Sequence, residues 1–176
     1  MKNIFLIGFM GTGKSTIASA ICEKYTMDIV EMDETIAKKE GMGIPEIFAK
    51  KGEEYFRNLE TLFLEEMRQM TNKIVSCGGG IVLRKENISI MKENGWIVLL
   101  TASPEEVFER VKNDNGRPLL QGRKNVEAIK ELMEVRRVKY EEAADIIICT
   151  DGKPAEVICE DIMNELKRAK ERKKDV

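Results

Sequence analysis

Lysine and serine stand side by side at positions 14 and 15, closing the run Gly8-Phe-Met-Gly-Thr-Gly-Lys-Ser-Thr16. The spacing G-x-x-x-x-G-K-S belongs to a loop whose backbone N–H groups ring a polyphosphate. In such a loop the Lys14 ammonium reaches the β- and γ-phosphates and the Ser15 hydroxyl sits on Mg²⁺. Gly11, Thr12, Gly13 and Thr16 complete the surface that meets the nucleotide. The flanks give the string its meaning. An apolar run, Ile4 to Ile7, leads in, and a helical pattern of Ile17, Ala18, Ile21, Cys22 and Tyr25 leads out. The positive end of that helix adds its dipole to the site. The sequence therefore predicts a nucleotide-binding loop.

The remaining chemistry must come from few residue types. The chain has no histidine, so any acid–base step falls to a carboxylate, a lysine or the substrate itself. Neither a D-x-x-G after a strand nor an N-K-x-D occurs, which removes the marks of a GTPase switch. What remains is an acidic strand end at Glu31 and Asp33, a triplet Gly78-Gly79-Gly80, and arginines beyond helix boundaries. A kinase of a small anionic metabolite needs such a set. It must hold a hydroxyl in line with the γ-phosphate, clamp a negative group and exclude water.

The elements that position these residues are legible from period and punctuation. Strands are expected at Ile4 to Ile7, Met27 to Asp33, Lys73 to Cys77, Trp96 to Leu100 and Asp145 to Cys149. Helices alternate with them. One runs from Glu34 to Lys39, and a short one over Ile44 to Ala49 carries Pro45 in its first turn. Gly52 stops it, and a longer helix follows from Glu53 to about Met70, with Phe56, Leu59, Phe63, Met67 and Met70 as its core stripe. Ser103 caps a helix to about Lys112, and two more run over Val126 to Ala143 and Ala155 to about Lys170. The stretch 113–124 breaks every period and reads as a mobile lid. Five apolar strands alternating with helices predict an α/β fold: a three-layer α/β/α sandwich on a central five-stranded parallel sheet. Ligands then gather at the carboxyl ends of the strands.

Totals narrow the class. A chain of 176 residues that is 43% hydrophobic and 34% charged reads as one globular domain over 1–176. A net charge of −2 gives no electrostatic case for nucleic acid, and no apolar run approaches membrane-spanning length. The N-terminal apolar run is too short for a signal peptide, so a cytoplasmic monomer is expected. Cys22, Cys77, Cys149 and Cys159 fall in apolar patterns without C-x-x-C spacing and are expected as reduced core thiols.

Taken in order, the motifs resemble those of the shikimate kinase family nearly end to end. They are the loop Gly8 to Thr16, the series Gly41, Ile44, Glu46, Phe48, Gly52, Glu53, Phe56, Arg57 and Glu60, the Gly78–Gly80 triplet, Arg117-Pro118-Leu119-Leu120, and Arg136 four residues before Tyr140. The resemblance implies a phosphate-loop fold of the nucleoside-monophosphate-kinase type. It implies ATP and Mg²⁺ as cofactors and shikimate as acceptor, phosphorylated on its 3-hydroxyl on the way to aromatic amino acids. It further implies that Asp33 orients the substrate hydroxyls and that Arg57 and Arg136 grip the carboxylate. Glu60 would steady Arg57, and Gly79 and Gly80 would bring backbone N–H groups to the substrate. Arg117 would swing from the lid onto the transferring phosphate, while Arg110 and Lys153 would border adenine. The segment 33–60 would bind substrate. The chain departs from the family pattern in two places. Glu31 stands where aspartate is usual, suggesting contact with Mg²⁺ through water, and Arg136-Arg-Val-Lys-Tyr140 replaces Arg-x-Pro-Leu-Tyr, leaving Arg137 as a competing guanidinium. The alternatives are another small-metabolite kinase, such as one for gluconate, and a non-catalytic ATP-binding module.

Overall fold

The computed structural model describes residues 2–112 and 125–172. Five strands form one parallel sheet: β1 (Asn3–Ile7), β2 (Asp28–Glu31), β3 (Lys73–Ser76), β4 (Gly95–Thr101) and β5 (Ile146–Cys149). Their order across the sheet is β2-β3-β1-β4-β5, so the first strand lies at the centre. Helices α1 (Lys14–Tyr25), α2 (Met32–Glu40), α3 (Ile44–Met67), α4 (Lys85–Asn94), α5 (Pro104–Val111), α6 (Val126–Ala143) and α7 (Ala155–Arg172) make the connections. The parallel α/β/α architecture is the one the alternating pattern predicts.

Period-2 alternation sends each strand's side chains to two cores. Phe5, Ile7, Val75, Ile97 and Leu99 pack with Phe56, Phe63, Leu64 and Met91 on one face. Ile4, Leu6, Ile74, Val98 and Leu100 pack with Ile17, Ile21, Ile158 and Ile162 of α1 and α7 on the other. A smaller cluster of Phe9, Val107, Val111 and Ile129 ties α5 and α6 to the loop after β1.

Several boundaries differ from expectation, each for a local reason. β2 ends at Glu31 and α2 starts at Met32, so Asp33 lies in the first turn of a helix rather than at a strand end. Gly52 does break the following helix: at φ 83 and ψ 170 it separates two helical pieces running end to end. Met70 lies beyond the end of α3 and is largely exposed, so it leaves the expected stripe. Cys149 is also exposed, because every second residue of edge strand β5 faces outward. The other three thiols are buried or half-buried, and all four are free. Asn125 caps α6, its side chain accepting from the Ala128 N–H. No helix among the described residues is long and apolar enough to cross a membrane.

One polar side chain fastens the central strand to the turn before β3. Asn3 is fully buried; its Nδ2 donates to the Met70 carbonyl at 2.8 Å, and its Oδ1 accepts from the Lys73 N–H at 2.9 Å. Asn3→Leu keeps the volume but strands both backbone groups. It should cost about 1–3 kcal/mol of unfolding free energy, read as a lower urea midpoint with an unchanged slope.

Candidate active site

The site begins where β1 runs out. Gly8 to Gly13 form the loop, and Gly13, at φ 95 and ψ 17, caps α1 in a backbone region that a Cβ would strain. Lys14 curls over this loop, its Nζ donating to the Gly8 and Phe9 carbonyls at 2.9 Å each. Thr12 is buried beneath, its hydroxyl donating to the Phe9 carbonyl at 2.8 Å. A cavity of about 510 Å³ opens in front. Gly11, Gly13, Lys14, Ser15 and Thr16 line one side of it, and Glu31, Asp33, Ser76, Gly78 and Gly79 line the other.

The residues near Ser15 suit a hard cation. Ser15 Oγ donates to Glu31 Oε2 at 3.0 Å and lies 3.2 Å from Ser76 Oγ. Among the described residues no cluster of three or more metal-ligating side chains occurs. A small oxygen-loving ion here must lean on one hydroxyl and on phosphate oxygens, which is how Mg²⁺ usually binds with a nucleotide. The donor set fits Mg²⁺.

The glycine triplet after β3 is where the charged groups meet. A Cβ on Gly78 would lie 2.8 Å from Asp33 Oδ1 and 3.3 Å from Glu60 Oε1. The Gly79 carbonyl accepts from Arg136 Nη1 at 3.2 Å and from the Tyr140 hydroxyl. On Gly80 a Cβ would fall 2.0 Å from Arg57 Nη1, so only glycine admits this guanidinium. Arg57 is itself buried. Its Nη1 donates to Glu60 Oε2 at 2.7 Å, while its Nε and Nη2 donate to Glu53 Oε1 at 3.2 and 3.0 Å. Phe48 and Phe56 flank it at 5.9 and 5.4 Å. The neighbouring arginines of α6 separate cleanly: Arg136 turns to Gly79, whereas Arg137 is exposed and paired with Glu134 and Glu141.

Arg110 lines the cavity in front of the loop too; its Nη1 donates to the Gly11 carbonyl at 3.1 Å and to Thr150 Oγ1 at 3.3 Å. Lys153 pairs with Asp161 at 2.8 Å. Arg110 and Lys153 share a second cavity of about 240 Å³ with Thr12, Gly13 and Thr16. Arg117 and the expected lid over 113–124 lie outside the described residues.

Three residues make contacts in the site that the sequence does not assign to them. Glu53 holds two edges of Arg57, and its i,i+4 spacing to that residue was the available signal. Tyr140 served only as a motif marker, and Ser76 drew no attention, since a serine at a strand end has no signature.

The shikimate kinase family model matches residues 10–167. A shikimate kinase of Persephonella marina is 45% identical over 167 residues, spanning 95% of this chain and 100% of that protein. A solved shikimate kinase of Acinetobacter baumannii in complex with shikimate superposes with a TM-score of 0.89 at 31% identity, covering 96% of this chain and 94% of its own. A gluconokinase of Sinorhizobium meliloti reaches 0.59 at 17% identity, covering 97% and 94%, and shares the fold alone.

Glu60 is the unusual acid of this site. It is fully buried and its Oε1 has no hydrogen-bond partner. Burial pushes its carboxyl up to about 7; Arg57 pulls the other way, and nearby Asp33 adds to the push. For Arg57 burial works against the charge, but Glu60 and Glu53 more than offset it, and its proton is held more tightly than usual. The two partners thus lean in different directions on Glu60's ionisation, and the unpartnered Oε1 decides for a raised carboxyl. A carboxyl raised in the folded state stabilises the fold at pH below its unfolded value and loses that contribution as pH rises through about 7. Between pH 5 and 8 the wild type should therefore lose roughly 2 kcal/mol more stability than Glu60→Gln. Urea midpoints across that range check it; parallel profiles for the two proteins would rule it out.

Proposed function

This chain belongs to the shikimate kinase family and is an ATP-dependent kinase acting on shikimate, and we propose that Lys14, Asp33 and Arg117 carry the transfer of the γ-phosphate to the 3-hydroxyl. The products are ADP and shikimate 3-phosphate. The observation that carries this assignment of roles is a shared cavity: Lys14 and Asp33 line the same 510 Å³ hollow, together with Gly78 and Gly79.

Each residue has one task. Gly11, Gly13, Thr16 and the first turn of α1 hold the phosphates, and Lys14 exchanges its loop carbonyls for phosphate oxygens. Ser15 would hold Mg²⁺, with Glu31 accepting the hydrogen bond that the Ser15 hydroxyl donates. When bound, Mg²⁺ neutralises charge on the transferring group. Asp33 orients the attacking hydroxyl, and because the transition state is largely dissociative, position counts for more than proton removal. Arg57 has five N–H groups. Three are taken by Glu53 and Glu60, which leaves one on each Nη for the substrate carboxylate. Arg136 supplies the second cation from α6, and Gly79 and Gly80 present backbone to the ring. Arg110 and Lys153 border the base, and Arg117 closes with the lid over 113–124 to exclude water. None of these roles calls for a residue of a second copy, so the enzyme is read as a monomer with its substrate segment over 33–60.

A coupled ADP-release assay tests the assignment. ADP should appear with shikimate and not with gluconate. Asp33→Asn should lower kcat by roughly 10²-fold or more while MgATP binding stays near wild type. In Gly80→Ala the new methyl drives the Arg57 guanidinium aside, so the shikimate KM should rise about tenfold or more with a smaller change in kcat. Wild-type kinetics in either variant would remove that residue from the assignment.

A further inference from the structure

Ser76 is buried at the carboxyl end of β3, directly opposite Glu31 in the pairing of β2 with β3. Both side chains reach the same atom. Ser15 Oγ lies 3.0 Å from Glu31 Oε2 and 3.2 Å from Ser76 Oγ. Proton bookkeeping fixes the directions. An ionised carboxylate only accepts, so the single Ser15 hydrogen goes to Glu31. In the serine pair Ser76 must then be the donor, and one of the two Ser15 lone pairs is spent on it. The other is left to face the cavity that Lys14, Asp33 and Gly79 line.

We infer that Ser76 is a positioning residue for the divalent cation: its hydroxyl, with Glu31, locks the rotation of the Ser15 hydroxyl so that one lone pair faces the metal. The inference rests on the assignment of Ser15 to Mg²⁺ made above. A small cation that demands near-octahedral geometry gains from a ligand fixed beforehand, and groups that orient metal ligands typically alter metal affinity by about 10–100-fold when removed. The sheet register supplies the device, since two adjacent parallel strands place Glu31 and Ser76 side by side under the first turn of α1.

The test uses Mn²⁺ as a paramagnetic substitute for Mg²⁺, its binding to the ADP-loaded protein followed by the resonance of free Mn²⁺. Calorimetry gives the affinity for ADP without metal. Ser76→Ala should weaken Mn²⁺ about tenfold and leave metal-free ADP binding unchanged, and Ser76→Thr, which restores the hydroxyl, should recover most of the loss. Ser76→Cys, close in shape but a far weaker donor, serves if the alanine variant does not fold, and should behave as alanine would. Mn²⁺ affinity within twofold of wild type in the alanine or cysteine variant overturns the inference and leaves Ser15 as the ligand. An equal loss of metal-free ADP affinity also overturns it, since the role would then be structural. If the wild-type ADP complex takes up no Mn²⁺, while Ser15→Ala behaves identically, the assignment of Ser15 itself falls and this inference with it.

Discussion

Charged side chains converge on three residues that have no side chains at all. Asp33 and Glu60 approach Gly78, Arg136 approaches Gly79, and Arg57 lies against Gly80 at a distance no Cβ would tolerate. Two guanidinium groups and two carboxylates can share so small a volume because the backbone between them is bare. The arrangement also needs the charges to alternate. Arg57 reaches its place only because Glu60 and Glu53 compensate its burial, and Glu60 remains buried at the cost of a carboxyl that holds its proton unusually well. A site of this kind is set up to receive one more anion. The donors left on Arg57, together with Arg136, are complementary to a carboxylate in a way that no polyol without a charge could use.

The sheet explains why this cluster faces a nucleotide loop. β1 lies between β3 and β4, and the Cys77 N–H donates to the Leu6 carbonyl, so the start of the glycine triplet is pinned beside the start of the phosphate loop. β2 pairs on the other side of β3, and its last residue delivers Glu31 and then Asp33 to the same rim. On the proposed assignment, three strand ends would present three kinds of chemistry along one edge, phosphate contact, metal contact and substrate contact, at separations set by strand spacing. Such placement is rigid, and rigidity is what positioning catalysis requires.

Much of this was visible in the sequence, because the strongest signals concern backbone. The phosphate loop, the glycine triplet and the break at Gly52 each depend on glycine spacing, and the five buried strands depend on apolar runs. What stayed hidden depends on which side of an element is covered. β5 reads as apolar throughout, yet as the edge strand it leaves Ile147 and Cys149 uncovered on its outer side. Arg136 and Arg137 are equivalent as letters, and about 100° of helical rotation separates a residue aimed at Gly79 from one paired with Glu134 on the surface. Met27 to Asp33 reads as a short strand that closes on acidic residues, which puts Asp33 at a strand end. The chain turns helical one residue earlier, at Met32, whose buried side chain joins the core beneath.

The absence of histidine shapes how the reaction can work. With no group of ordinary pKa near 7 available, a strong general base would have to be a carboxylate with a raised pKa, and the buried acid that has one, Glu60, spends an oxygen on Arg57. Its free Oε1 faces Gly78, next to Asp33, whose charge adds to the push on the Glu60 carboxyl. Asp33 is the exposed member of the pair and lines the cavity, whereas Glu60 is buried and holds Arg57; on the assignment proposed above, Asp33 would bear on the substrate directly and Glu60 through that guanidinium. On that assignment an orienting acid in water and a structural acid in the core would divide the work that a single histidine performs elsewhere. This division suits phosphoryl transfer in particular, where the nucleophile needs to be held in line more than it needs to be deprotonated.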